Sequence, residues 1–228
     1  MIPLRSSERT SSPAVVTLLL IAVNIAVFIF ELSLPAYPSY TRGHPPVTLN
    51  SFILTYGIVP DRLYGASLLT SMFIHGGFLH ILGNMWFLWI FGKGIEDLLG
   101  HGRFLFFYVL CGVAAGLVHV LSNPSSPAPT VGASGAIAGV MGAYLVKLPR
   151  ARIVTLVFVF IFVTTVDIPA FFLLAFWFVI QFFNGAGSIG DSAISRGDVA
   201  WFAHIGGFLA GIGLILLLPA RQRYRSWS

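Results

Sequence analysis

The stretch VGASGAIAGVMGAYLVKLP, residues 131–149, decides the fold of this chain. It is an apolar run that opens near Ala133, carries Ser134 among small residues and ends at a proline. A helix over this run is about 15 residues long, short of the roughly 20 residues that cross a bilayer. The preceding loop, residues 122–130, is rich in proline and polar groups and cannot face lipid. We therefore expect this loop to dip below the membrane surface, with Ser134 at the floor of a water-accessible cavity.

The composition of the whole chain is that of a membrane protein. Of its 228 residues 57% are hydrophobic and 9% are charged, and the mean hydropathy is +0.88. Soluble domains carry about 25% charged residues. The composition therefore excludes a soluble enzyme, a nucleic-acid binder and a disordered protein. The single cysteine, Cys111, excludes an intrachain disulfide.

Six apolar runs predict six membrane helices, because lipid offers no partner for a backbone amide outside a helix. The shorter run 153–166 has about 14 apolar residues, too few for a span, and we interpret it as an interfacial or partly buried connector. Residues 1–12 are a cytoplasmic segment, residues 13–218 the membrane domain and residues 219–228 a basic cytoplasmic tail. The predicted spans cover residues 13–34, 68–91, 104–121, 133–149, 168–186 and 200–218.

Basic residues predict the orientation of this bundle. With six spans, ten of the thirteen basic residues fall on one side and three on the other. Positive charge accumulates on the cytoplasmic side, so we expect an all-α membrane protein with both termini in the cytoplasm. A seventh span would carry the C-terminal arginines across and spoil the asymmetry. The ten are Arg5, Arg9, Lys93, Arg103, Lys147, Arg150, Arg152, Arg221, Arg223 and Arg225, and the three are Arg42, Arg62 and Arg196.

Polar side chains inside the spans mark a candidate site, because such residues are costly in a membrane. Span two carries His75, His80 and Asn84, span four Ser134 and span six His204. His80 and Asn84 are four residues apart and share a helix face. At about 1.5 Å per residue, Ser134 and His204 lie roughly 22 Å above their cytoplasmic ends and His80 roughly 20 Å. The site is therefore predicted in the outer half of the membrane.

These residue types point to acyl transfer. A serine hydroxyl is a weak nucleophile until a base removes its proton, and His204 is the natural base for Ser134. Backbone N–H groups at the start of the serine helix, with Asn84 and His80, are candidate donors to an oxyanion. We expect a Ser–His dyad, because the nearest acid, Asp167, lies roughly 20 Å below the histidine.

The other notable residues receive structural interpretations. We interpret Lys93, Glu96 and Asp97 as a solvated cytoplasmic turn and His119 as interfacial. His75 is interpreted as an outer-rim residue, with a supporting role in the site as the alternative. No cofactor or metal is expected, since there is no His-Glu-x-x-His motif and no cysteine cluster. Glycines at four-residue spacing indicate close helix packing, and they are Gly112 and Gly116, Gly135 and Gly139, and Gly207 and Gly211.

Together these motifs resemble the rhomboid family of intramembrane serine proteases, in order and spacing over about residues 65–218. The resemblance implies Ser134 as nucleophile, His204 as base, and an oxyanion hole from the Ser134 amide with His80 and Asn84. Gly132, Gly135, Gly207, Gly211 and His75 then support the site. The matching motifs are His75-x4-His80-x3-Asn84, Gly92-x3-Glu96-x3-Gly100, Gly132-Ala-Ser134-Gly135 and Ala203-His204-x2-Gly207-x3-Gly211.

The resemblance also implies single-pass membrane-protein substrates, cut in or near a helix that unwinds readily. It implies a mobile gate formed by the loop 188–199 and the fifth helix. A prokaryotic cell membrane, with the site open to the extracytoplasmic side, is the expected location, and no nucleic-acid partner is expected. Three departures from the family matter. The stretch Tyr64-Gly65-Ala66-Ser67 stands near the place where the family often carries Trp-Arg in the first external loop. Ala138 stands where some members carry a tyrosine that stacks on the histidine, and the connector 153–166 is longer than in the most compact members.

Two other functions remain open on the sequence. A non-catalytic rhomboid-like chaperone or trafficking factor usually lacks the serine or the histidine, whereas both are present here. A small transporter or channel requires a polar path through both leaflets. The cytoplasmic halves of spans four and six carry only apolar and small residues before their ends, which disfavours such a path.

Overall fold

The fold is known from a computed structural model that describes residues 1–36, 47–159, 162–187 and 200–219. The predicted gate loop 188–199, the arginines of the predicted tail, and Arg42 lie outside the described residues. The apolar runs form long helices, and two short helices, α2 (Leu49–Tyr56) and α3 (Ser67–Thr70), follow the first of them. The other helices are α1 (Val15–Ser33), α4 (Phe78–Phe87), α5 (Lys93–Leu99), α6 (His101–Ser122), α7 (Ser134–Lys147), α8 (Ala170–Gly187) and α9 (Trp201–Leu217).

Four helices in the described part of the chain are long and apolar enough to cross a membrane, and they correspond to predicted spans one, two, three and five. The helices of spans four and six, α7 and α9, are apolar but shorter, at 14 and 17 residues. The observed bounds of spans one, three, four, five and six lie within about three residues of the predicted bounds. Helix α7 begins at Ser134, as predicted.

The second span is displaced along the chain from its predicted position. The continuous helix covers Phe78–Leu99, with a π-helical turn at Leu88–Gly92 that joins α4 to α5. Residues 67–73 form only short helical turns, and the chain is extended at Gly77. The adjacent glycines 76 and 77 explain the late start, because each glycine in a helix costs about 1 kcal/mol relative to alanine.

The end of this helix corrects the prediction of a solvated turn. Glu96 and Asp97 are only 1% and 4% exposed. The carboxylate of Glu96 accepts hydrogen bonds from the backbone of Val16 and of Thr17, both at 2.8 Å. One oxygen of Asp97 accepts from the amides of residues 11 and 12. Glu96 therefore caps the start of α1, where the free N–H groups and the helix dipole favour negative charge, and Asp97 holds the segment that leads into the helix.

A three-stranded antiparallel sheet is present that the all-α prediction missed. It has the order β1 (Ile2–Ser6), β2 (Arg152–Val159) and β3 (Phe162–Pro169). The connector 153–166 is therefore a β-hairpin, in agreement with its exclusion as a seventh membrane helix. Valine, isoleucine, threonine and phenylalanine dominate both strands, and these residue types favour the extended conformation.

Glycines bring α7 and α9 into backbone contact near the candidate site. A Cβ atom on Gly207 would overlap the carbonyl oxygen of Gly135, and one on Gly211 would overlap the backbone of Gly139. The small residues therefore permit the close approach that the four-residue spacing predicts. This contact fixes the position of His204 on α9 relative to Ser134 at the start of α7.

Candidate active site

Ser134 and His204 meet between α7 and α9. The Oγ atom of Ser134 lies 2.9 Å from Nε2 of His204, within hydrogen-bonding distance. The histidine is 9% exposed, while the serine is half-buried at the first position of its helix. A serine hydroxyl in this relation to an imidazole nitrogen is the arrangement that activates a nucleophile.

A glutamine on α8 completes the environment of the histidine. Oε1 of Gln181, a residue 6% exposed, lies 2.7 Å from Nδ1 of His204. Because an amide oxygen only accepts, Nδ1 carries the proton and Nε2 is left to accept the serine hydroxyl. The sequence predicts no third partner for the histidine, because the expected third partner is an acid and Gln181 is neutral. A buried polar residue in the apolar helix α8 was the available signal.

Two tryptophan rings hold the imidazole from its other sides. The ring centroid of Trp177 lies 5.7 Å from that of His204 with a 38° angle between the planes. Trp201 packs edge-on to the same imidazole at 6.3 Å. Because Ala138 provides no ring on α7, these two residues supply the aromatic contacts to the histidine. Trp177 lies one helical turn before Gln181, so a single face of α8 makes both contacts.

Asn84 and His80 lie beside the backbone that leads into Ser134. A Cβ on Gly132 would fall 2.7 Å from His80 Nε2 and 3.7 Å from Asn84 Nδ2. Gly132 also has a φ of +124°, a conformation that favours glycine. The Asn84 amide nitrogen is buried and has no hydrogen-bond partner among the described residues. It is therefore a donor available to a bound oxygen.

The residues of this group line two cavities. Ser134, His204 and His80 border a cavity of about 890 Å³ together with residues 76–79 and 129–131. A second cavity of about 240 Å³ lies between α4 and α8, with Asn84 and Trp177 among its lining residues. Ser134 is thus reached from two directions, one beside the loop before α7 and one between α4 and α8.

The loop before α7 is held by protein partners. Ile58 and Thr130 exchange backbone hydrogen bonds of 3.0 and 2.7 Å, and the Gly132 amide donates to Ser71 at 2.8 Å. His119, expected to be interfacial, is buried and its Nε2 lies 2.8 Å from the Thr130 hydroxyl. These bonds satisfy irregular backbone at the depth of the site, as a loop below the membrane surface requires.

His75 is buried beside His80, not placed at a solvated rim. It is 2% exposed, and its ring packs edge-on at 5.1 Å from the ring of His80. Its backbone amide donates to the carboxylate of Glu31 on α1, at 3.2 and 3.3 Å. Within the described ranges, no group of three or more histidine, cysteine, aspartate or glutamate side chains is arranged to hold a metal ion.

Comparison with known proteins assigns the family. The family model described as the Rhomboid domain matches residues 62–221. The chain is 30% identical to RHOMBOID-like protein 5 of Arabidopsis thaliana over 164 residues, which are 69% of this chain and 46% of that protein. It is 32% identical to Rhomboid protein 1, mitochondrial, of Saccharomyces cerevisiae over 150 residues, 64% of this chain and 40% of the relative.

One bacterial relative is named as a protease. The chain is 32% identical to Rhomboid protease GluP of Bacillus subtilis over 148 residues, 64% of this chain and 25% of that protein. The aligned regions cover less than half of each of these three relatives. Because the family model covers most of the chain, this protein belongs to the rhomboid family and is an integral membrane protein. Since the family includes mitochondrial members, membership alone does not assign a compartment.

Proposed function

We propose that this protein is an intramembrane serine endopeptidase that hydrolyses peptide bonds in or near transmembrane helices of single-pass membrane proteins. The observation that carries the proposal is the 2.9 Å contact between Ser134 Oγ and His204 Nε2. Gln181 supports it from the opposite ring nitrogen, at 2.7 Å. A serine that only packs between helices needs neither a buried imidazole nor an orienting partner beyond it.

In the acylation step, Nε2 of His204 takes the hydroxyl proton of Ser134 as Oγ attacks the scissile carbonyl carbon. The negative charge that develops on the carbonyl oxygen is stabilised by Asn84 Nδ2, His80 and the Ser134 backbone N–H. The protonated His204 then gives its Nε2 proton to the leaving amine, and the acyl group remains on Ser134. Throughout this step Nδ1–H keeps its bond to Gln181.

In the deacylation step, His204 removes a proton from a water molecule, which attacks the acyl carbon of the ester. Collapse of the second tetrahedral intermediate releases a product carboxylic acid and returns the proton to Ser134 Oγ. The cavity of about 890 Å³ beside the serine is the route by which water reaches the ester. No step requires an aspartate or glutamate as a third member of the site, because the amide of Gln181 orients the ring without carrying charge.

We place the chain in the membrane with six helices. Four long helices and the shorter α7 and α9 make up the six, and both termini then lie in the cytoplasm with ten of the thirteen basic residues. The membrane domain is residues 13–218, flanked by the segments 1–12 and 219–228. The site then opens to the extracytoplasmic side, and a prokaryotic cell membrane is the proposed location.

Labelling with a fluorophosphonate probe tests the nucleophile directly. We expect covalent labelling of the wild-type protein and none of the Ser134→Ala or His204→Ala variants, which also lose cleavage of a transmembrane substrate. The matched control is Ser67→Ala, because Ser67 is buried and its hydroxyl donates to the backbone of residue 64, away from the histidine. Equal labelling of wild type and Ser134→Ala would contradict the proposal.

A pH profile tests the base. Because His204 must be neutral to accept the serine proton, kcat/KM of the free enzyme should rise with pH as the imidazole loses its proton. We expect the same rise in every variant that keeps both Ser134 and His204. A rate that does not fall as the pH is lowered, down to the pH at which the protein unfolds, would argue against a histidine base.

A further inference from the structure

Glu31 is a buried carboxyl group in a membrane helix, and the proposed mechanism does not use it. It lies near the end of α1 and is only 2% exposed. An ionisable side chain inside a membrane span is costly, and such residues usually have a partner and a function. The partner of Glu31 is a backbone amide in the segment that leads into α4, the helix that carries His80 and Asn84.

This segment is not helical, so its amides depend on side chains from elsewhere. The backbone is extended on both sides of the pair His75 and Gly76, and buried amides require an acceptor. The His75 N–H donates to the two carboxylate oxygens of Glu31, at 3.2 and 3.3 Å. The Gly76 N–H donates to Nδ1 of His80 at 3.4 Å. Two successive amides therefore connect α1 to the histidine on α4.

The bond from Gly76 determines which nitrogen of His80 carries the proton. A backbone N–H can only donate, so Nδ1 accepts and the proton of the neutral imidazole is on Nε2. Nε2 is also the atom nearest the loop before Ser134, since a Cβ on Gly132 would fall 2.7 Å from it. His80 therefore presents an N–H to the site, as an oxyanion donor must.

A second contact from the same segment orients the ring of His80. The ring of His75 packs against it with 5.1 Å between the centroids and 65° between the planes. His75 is 2% exposed, so its ring has little freedom once its backbone is fixed. The position of the His75 backbone thus affects His80 through this ring contact and through the adjacent Gly76 amide.

Helix α1 contacts the segment at a second point. Phe28 precedes Glu31 by three residues and shares its helix face. Its ring packs edge-on against that of Phe78, with 5.1 Å between the centroids, and Phe78 is the first residue of α4. The segment 75–78 is therefore attached to α1 at both ends, by a hydrogen bond to Glu31 and by aromatic packing on Phe28.

We propose that Glu31 is a positioning residue for the oxyanion site: it holds the His75 backbone so that Nε2–H of His80 faces the reacting carbonyl. This role rests on the proposed function, in which His80 is an oxyanion donor. Within the described part of the chain, Glu31 lines neither cavity at Ser134, so it acts through His80 and not on the substrate. The role requires an acceptor oxygen at residue 31, which glutamine supplies and leucine does not.

Steady-state kinetics with a transmembrane substrate test this role. Loss of an oxyanion donor typically lowers kcat by about 10²- to 10³-fold, and a misplaced donor should cost less, so we expect Glu31→Leu to lower kcat roughly 10-fold with KM unchanged. Glu31→Gln should stay near wild type. Leucine is favoured in membrane helices, so the Glu31→Leu protein should fold.

The matched control is Asn24→Leu, because Asn24 is also buried on α1 but its amide donates to the carbonyl of residue 20 in its own helix. We expect its kcat to equal that of wild type. An equal loss in Asn24→Leu and Glu31→Leu would overturn the proposal, as would a Glu31→Gln protein that is as slow as Glu31→Leu.

A double-mutant cycle shows whether the effect passes through His80. In a His80→Ala protein, Glu31→Leu should change kcat by less than about twofold, because the donor that Glu31 positions is already absent. If the two substitutions instead lower kcat by independent factors that multiply, Glu31 acts elsewhere and the proposal fails.

The tautomer of His80 can be measured without any reaction. Nitrogen NMR spectra of protein with isotopically labelled histidine, at a pH where the imidazoles are neutral, distinguish protonation at Nε2 from protonation at Nδ1. The signal of His80 is the one missing from His80→Ala. We expect Nε2–H in wild type and in Glu31→Gln, and a mixture of the two tautomers in Glu31→Leu.

This measurement separates the positioning role from the proposed function. An unchanged His80 signal in Glu31→Leu would overturn the positioning role, whatever the kinetics show. A changed signal in a protein that cleaves no substrate would support the positioning of His80 by Glu31 and contradict the proposed function.

Discussion

Gln181 accepts a hydrogen bond from Nδ1 of His204 at 2.7 Å, on the side of the ring away from Ser134. The two contacts fix the tautomer, since a ring that donates from Nδ1 has its lone pair at Nε2. A neutral amide does this without adding a negative charge to the membrane interior, where an ionised carboxylate is costly. In the proposed mechanism the glutamine is therefore a positioning residue for the base.

Replacement of Gln181 by leucine should slow cleavage without weakening substrate binding. The buried Nδ1–H is then left without an acceptor, which costs about 1–3 kcal/mol. Since about 1.4 kcal/mol is tenfold in rate, kcat should fall roughly 10- to 100-fold while KM stays near its wild-type value. Gln181→Glu keeps an acceptor oxygen and should recover most of the rate. Equal kcat losses in the two variants would show that the residue serves packing alone.

Replacement of Asn84 by alanine should lower kcat by about 10²- to 10³-fold, the typical effect of the loss of one oxyanion donor. The matched control is Asn24→Ala on α1, because Asn24 is equally buried but its amide donates to the backbone of residue 20. Steady-state kinetics with a transmembrane substrate measure both variants. If Asn24→Ala lowers kcat as much as Asn84→Ala does, the effect is one of stability, and Asn84 has no special part in the reaction.

Gly207→Ala should destabilise the protein and separate Ser134 from His204, because the added methyl overlaps the carbonyl oxygen of Gly135. Overpacking of this kind costs about 1–3 kcal/mol. Gly213 lies on the same helix with open space around it, and Gly213→Ala should leave Tm unchanged or raise it slightly. Thermal unfolding in detergent compares the two. A Tm for Gly207→Ala equal to that of Gly213→Ala would mean that α7 and α9 are less closely packed than described.

Glu96→Gln should weaken the attachment of α1 to the end of α5. The carboxylate accepts from two backbone amides and from the hydroxyl of Thr17 at 2.7 Å, and an amide side chain would turn a donor toward one of these groups. Hydrogen bonds to a charged group contribute about 1.5–3 kcal/mol each, so we expect Tm to fall by several degrees. Asp61→Asn is the surface control and should change stability by less than about 0.5 kcal/mol. A Glu96→Gln protein as stable as wild type would mean that the charge of the buried carboxylate does not contribute to the attachment of α1.

The sequence predicts the helices well because hydrophobic length is a strong signal in membranes. The bounds of α6, α7 and α9 follow from runs of apolar residues. The proximity of Ser134 and His204 also follows, since similar distances from the two helix ends place both side chains at one depth. The order of the four sequence motifs predicts membership of the rhomboid family, and the match to the family model confirms it. The start of the second span escapes prediction because apolar residues continue through the extended segment before Phe78.

The remaining features depend on partners that are distant in the chain. Glu96 and Asp97 resemble a solvated turn because their hydrogen-bond donors lie some 80 residues earlier. Gln181 requires knowledge of which face of α8 turns toward His204. The hairpin of β2 and β3 lacks a regular polar alternation, so its sequence predicts no exposed strand, and only its content of β-branched and aromatic residues favours one.

The backbone contact between α7 and α9 makes the catalytic geometry a matter of helical register. Gly207 lies three residues after His204, and Gly135 directly follows Ser134, so each glycine is within one turn of its reactive neighbour. One residue inserted between His204 and Gly207 would rotate the imidazole by about 100° relative to the glycine contact. In evolution, α7 and α9 can therefore change composition on their outer faces, but the proposed site does not tolerate a change of length between either glycine and the neighbouring Ser134 or His204.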